Sequence, residues 1–180
     1  MTTEVKPTPA HDDTARLAGI ASTGSVAALR AARADATRYT QGSFDALFDP
    51  STTGLSLDER FAAASYAAAL SAAPEAARAY RERLLALGSS AESAIAALGG
   101  FISEGVVHAN APDIDARLAA ILKHTHALTT LTPTPGQSAL LRVKQAALST
   151  PEIVALSQLV AFVTYQVRVV AALRALETSA

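Results

Sequence analysis

Residues 61–70 read Phe-Ala-Ala-Ala-Ser-Tyr-Ala-Ala-Ala-Leu, and similar runs of alanine, leucine and valine recur along the chain. Alanine is the strongest helix former, because ordering it costs no side-chain entropy, and its small side chain lets helices pack closely. Sheets draw instead on β-branched and aromatic residues. Only 5% of this chain is aromatic, although 50% is hydrophobic. The pattern predicts an all-α fold, and 180 residues suffice for one domain. Alanine-rich helices bury little apolar area per residue, so a homo-oligomer is expected.

Residues 1–11, with Pro7 and Pro9 among small polar side chains, read as a loosely held arm. The remainder, 12–180, reads as a single domain made of an N-terminal helical extension over 12–54 and a core over 55–180. The extension is predicted to hold a short helix over 14–21, broken at Ser22-Thr23-Gly24. A longer helix follows over 25–48, weak at Gly42, and then a loop over 49–54. The core opens on a capping box, Ser56 with Glu59 three residues on. Its helix is expected to reach about residue 71. Pro74 suits the first turn of the next helix, which stops at Gly88. Residues 89–112 are less regular, with a short helix over 91–98 broken by Gly99-Gly100. Ile114, Leu118, Ile121, Leu122 and Leu128 mark an amphipathic helix over 113–130. A turn at 133–136 and a short helix over 137–148 follow. Thr150 as cap, Pro151 at the first position and Glu152 at the positive dipole end open a long helix to about 177. The two halves share a capped helix, a turn and another helix. This suggests a degenerate duplication of a helical unit, without the fixed period of a solenoid.

The net charge is −1 and no basic stripe is visible, so nucleic acid is not an expected partner. The N-terminus has no apolar core of a signal peptide, and the absence of cysteine fits a cytoplasmic protein. Residues 153–167 carry no charge but include Ser157, Gln158, Thr164, Tyr165 and Gln166. This run is short and polar for a membrane span, and is expected to be a central buried helix.

Candidate chemistry is sparse. His124 and His126 lie two residues apart, and on a helix their side chains point about 200° apart, so no metal site is expected there. Arg168 is the only charge between Glu152 and Arg174, on the most apolar helix. If buried, it must be paired or hydrogen-bonded, either as a structural arginine or as an anion anchor. No nucleophile elbow, phosphate loop or dinucleotide motif is present, so no cofactor is expected.

Two stretches carry a family resemblance. Residues 55–88, LSLDERFAAASYAAALSAAPEAARAYRERLLALG, and residues 115–173, ending in EIVALSQLVAFVTYQVRVVAAL, resemble the carboxymuconolactone decarboxylase and alkylhydroperoxidase D superfamily. The N-terminal LAGIASTGSVAALRAARADATRYTQGSFDALFDP is similar to bacterial members described only by that domain. The resemblance implies an alkylhydroperoxidase D-like helical bundle. In its redox members a CxxC pair, a following histidine and a proton-relaying glutamate do the work. Matched on Arg60 and Gly88, the cysteine positions fall on Ala73 and Ala76, the histidine on Tyr80 and the relay glutamate on Phe61. All four are changed, and no peroxide-reducing thiolate remains.

The resemblance therefore implies a homologue without the redox chemistry. Two alanines, a tyrosine and a phenylalanine are expected either to line an apolar pocket for a ligand or partner, with Arg168 as its anion anchor if it faces the same cavity, or to be the simple repacking of a dead site. A second expectation is a cysteine-independent enzyme of the decarboxylase type, whose proton transfer would draw on Glu59, Tyr80, His108 or His124. A third is a structural subunit paired with a CxxC-bearing homologue.

Overall fold

The helix boundaries follow from side chains that satisfy the unpaired backbone groups at helix ends. The computed structural model describes residues 11–103, 106–108, 115–131 and 136–179, so most of the expected arm and the turn at 133–135 lie outside the described residues. Helix α1 (Asp13–Ala18) is capped by Asp12, whose side chain accepts from the Ala15 N–H, and ends at Gly19 in the left-handed region. Helices α2 (Ser25–Ala32) and α3 (Ala34–Leu47) replace the single helix expected over 25–48. The break falls at Arg33, and Gly42 sits inside α3. The turn lets α3 bury Thr37 and Gln41, and Gln41 Oε1 accepts the Asp13 N–H at 2.9 Å.

Helix α4 (Leu57–Leu70) starts at the predicted Ser56–Glu59 capping box, and α5 (Pro74–Leu85) at Pro74. A 3-10 turn (Gly88–Ala91) leads into α6 (Glu92–Phe101), which runs through Gly99-Gly100 rather than breaking there. Ala94, Ala97, Leu98 and Phe101 are buried along it, and that packing outweighs the low helix propensity of glycine. A two-residue antiparallel ladder pairs Ile102 with Val107 and Ser103 with Val106. Helix α7 (Ala116–Thr130) is capped by Asp115, and α8 (Gly136–Gln145) follows. Helix α9 (Thr150–Thr178) is capped by Ser149, not Thr150, in a second capping box with Glu152.

The all-α class expected from composition is what the structure shows. Every residue of α4 from Glu59 to Ala68 is buried. A helix apolar all round belongs in a core, and here alanine lets α5, α6, α7 and α9 all approach α4. Most of the buried side chains, from Phe48 to Val167, form one core. A smaller cluster of Leu17, Ala18, Val26, Ala79, Val170 and Leu173 lies under α1 and α2. The two capping boxes recur, but α9 spans 29 residues where α4 spans 14 and is followed by a turn.

Helix α9 reaches Thr178, as expected, and by length and composition is long and apolar enough to cross a membrane; its burial differs from the central position expected. Its face from Ile153 to Leu173 packs against α1, α4 and α7, while Val154 and Tyr165 on its other face are exposed. The helix is therefore buried on one side only. Arg168 lies on the exposed side. The buried guanidinium is Arg60, 4% exposed, whose Nη1 donates to the carbonyls of Leu47 (2.9 Å) and Asp49 (3.0 Å). It satisfies the acceptors left at the end of α3.

Candidate functional site

The four positions that the resemblance singles out are close-packed. Ala73 is the N-cap of α5 and Ala76 lies one turn in, buried. Tyr80 is fully buried, and its hydroxyl donates to Gln166 Oε1 at 2.5 Å. Gln166 Nε2 in turn donates to Thr14 Oγ1 at 3.4 Å. Burial, reinforced by the nearby Asp13 charge, pushes the Tyr80 phenol up, so it stays neutral. Phe61 stacks on Phe48, with ring centroids 4.8 Å apart and planes 10° apart. Phe48 also meets Tyr80 at 5.5 Å. A ring from the N-terminal extension thus packs against both of the positions, Phe61 and Tyr80, on which the resemblance places the relay glutamate and histidine.

The extension is held there by charge. Asp13 is fully buried and paired with Arg83 and with Arg16, the latter at 2.8 Å. Burial pushes the Asp13 carboxyl up, but hydrogen bonds from Arg83 and Arg16 outweigh it and hold the group below its ordinary range. The Arg83 guanidinium also lies 4.8 Å from the Phe44 ring centroid, in cation–π contact. None of Phe61, Ala73, Ala76 and Tyr80 lines a described cavity. The expected pocket around Tyr80 is filled by side chains. Arg168 faces a separate depression beside Leu70, Ser71 and Thr129, so it is not an anchor for that site.

Glu59 is committed elsewhere. Its Oε2 accepts the Ser56 N–H at 2.9 Å, and its Oε1 accepts from Arg117 Nε at 2.6 Å. Arg117 Nη2 also donates to Glu152 Oε1 at 2.6 Å, and Glu152 Oε2 accepts the Ser149 N–H at 2.7 Å. One guanidinium therefore joins the two capping boxes. Hydrogen bonds from Ser149, then from Arg117, hold the Glu152 carboxyl at about 2. The sequence reading missed Arg117. Its signal was a cation in the first turn of a helix, the end where the dipole disfavours positive charge.

The two histidines of α7 diverge, as their spacing requires. His126 Nδ1 lies 2.9 Å from the Tyr66 hydroxyl. That hydroxyl donates to the His108 carbonyl, so the His126 Nδ1–H is the donor to Tyr66. The His108 N–H donates to the Phe101 carbonyl at 2.7 Å. Among the described residues no three metal-ligating side chains are grouped.

Of the four acid–base candidates, His124 alone lines a described cavity. This groove of about 360 Å³ runs between α7 and α8, with Ala119, Ala120 and Ala146 on its apolar walls and Lys123, His124 and Arg142 as polar groups. Neither Lys123 nor Arg142 has an acidic partner among the described residues. His124 Nε2 lies 3.4 Å from Ser157 Oγ, whose proton goes to the Ile153 carbonyl. His124 therefore donates from Nε2 and keeps a lone pair on Nδ1. Burial lowers its pKa below the ordinary 6.5, so it is neutral at pH 7. No family model, no curated protein and no solved structure matches this chain.

Proposed function

We propose that the protein is a thiol-independent homologue of the alkylhydroperoxidase D and carboxymuconolactone decarboxylase superfamily that works by binding a small apolar ligand. The observation that carries this reading is the Phe48 ring packed against Phe61 and Tyr80, at the mapped redox positions. Ala73 and Ala76 support the mapping, because they sit in the first turn of α5, where a helix dipole stabilises thiolates in redox proteins. Binding then falls to the α7–α8 groove, which is open and unfilled. The pure protein is expected to show no turnover of hydrogen peroxide or an alkyl hydroperoxide with a dithiol reductant. Turnover would sink the reading. The mapping has its own test: Ala73→Cys with Ala76→Cys is expected to form a disulfide under mild oxidation, and two persistent free thiols would refute it.

A second reading, a cysteine-independent proton-transfer enzyme, is favoured by one observation. His124 is a neutral imidazole in a cavity with two cations beside it, which suits a base acting on a carboxylate. Decarboxylation of a lactone carboxylic acid that disappears in His124→Gln would support it. In either reading we propose a cytoplasmic homo-oligomer, which the thin alanine core and the lack of cysteine support. Light scattering at the monomer mass would count against that assembly.

A further inference from the structure

We infer that the α7–α8 groove takes an amphiphilic monocarboxylate, with the head at Lys123 and Arg142 and the tail against alanine. This rests on the ligand-binding reading and names its ligand class. Three observations lead to it. The first is uncompensated charge. Among the described residues, the carboxylates near the start of α7 are already used: Glu59 and Glu152 are paired with Arg117, and Asp115 caps the helix. Lys123 and Arg142 therefore face the groove without an acidic partner among the described residues. Two like charges held near one cavity repel unless an anion joins them, and a guanidinium matches a carboxylate bidentately.

The second observation is the wall chemistry. Ala119, Ala120 and Ala146 are half-buried and offer no hydrogen-bonding side chain. A bare inorganic anion would leave that surface in contact with water, whereas an alkyl or aryl body would cover it. The third is size. A cavity of about 360 Å³ lies at the small end of ligand sites, roughly 300–1,000 Å³. It suits a short chain or single ring, with His124 in the same wall.

The test is isothermal calorimetry on the full chain with octanoate, octanol and inorganic phosphate, at low and high salt. Octanoate is expected to bind at least about tenfold tighter than either control, and to weaken with salt. Lys123→Gln with Arg142→Gln, both on exposed side chains, should weaken octanoate at least about tenfold and leave octanol unchanged. Ala119→Phe, which fills the groove, should weaken both; helical circular dichroism and the melting curve check that this variant folds. Equal binding of octanoate and octanol would overturn the carboxylate assignment while leaving the ligand-binding reading intact. Octanoate binding untouched by either variant would overturn the location. No heat with any probe would overturn the inference, and peroxide turnover would separately overturn the reading beneath it.

Discussion

Replacing Arg117 with methionine removes a cation that joins the N-termini of α4, α7 and α9. Methionine keeps the length and apolar stem of the side chain and deletes its donors. The lost contacts are those to Glu59 at 2.6 and 3.2 Å, to Glu152 at 2.6 Å and to the Ala147 carbonyl at 3.4 Å. Removing one partner of a fully buried ion pair costs about 3–5 kcal/mol, because the other charge is left unpaired. Arg117 is 29% exposed and the glutamates 9% and 13%, so water screens part of the loss and about 2–3 kcal/mol is the working figure. For a chain of this size that lowers the melting temperature by about 5–10 °C. Urea unfolding followed by circular dichroism measures it. A charge-neutral background, Glu59→Gln with Glu152→Gln, retains acceptors for both capping boxes but has no carboxylates to strand. There the same Arg117→Met step should cost under about 1 kcal/mol. An equal cost in both backgrounds would mean that Arg117 acts by packing and that the clamp is not electrostatic.

The acid arm has its own sign. The folded pKa of Glu152, about 2, lies below its ordinary 4.5. Its contribution is complete above pH 4.5 and is lost as pH falls through 2, an acid loss that Glu152→Gln should remove from an unfolding series. His124 acts near neutrality: with its pKa lowered by burial, the unfolded chain protonates first as pH drops through 6.5, so stability falls there, and His124→Gln should flatten that slope. Tyr80→Phe leaves Gln166 Oε1 buried without its donor and should cost about 1–3 kcal/mol; adding Gln166→Leu should recover part of it in chemical denaturation. Phe48→Ala removes the ring between Phe61 and Tyr80 and should cost about 3–5 kcal/mol. Indole should then raise the melting temperature of this variant more than that of the parent, and equal shifts would mean that no cavity opens. Gly54 has φ +102, and an added Cβ would meet Glu152 Cγ at 3.2 Å. Gly54→Ala should therefore destabilise by about 1–3 kcal/mol in the same assay.

The helices and most of their ends were legible in the sequence because they depend on neighbours a few positions away. Propensity, Ser56 with Glu59, Pro74 and the acid at Glu152 act within one turn. The misplaced details share one cause. The break at Arg33 and the passage of α6 through Gly99-Gly100 follow from buried faces, which outweigh local preference. The candidate site was much less legible. Composition showed that no thiol could act, but it could not show whether the changed positions enclose a pocket. Phe48 packs on Phe61 and Tyr80 because it caps the end of α3, which Arg60 of α4 holds through the Leu47 and Asp49 carbonyls. The same limit explains the two arginines. Arg168 stood out by its apolar neighbours in sequence, yet the rotation of α9 turns it outward. Arg60 and Arg117, ordinary in sequence, find carbonyls and carboxylates 11 to 58 residues away. The sequence by itself determined an all-α chain without thiol chemistry, because helix propensity and residue identity are local properties. Which cavity stays open, and which cations face it without an acid among the described residues, depends on packing, which brings together side chains that no spacing along the chain relates.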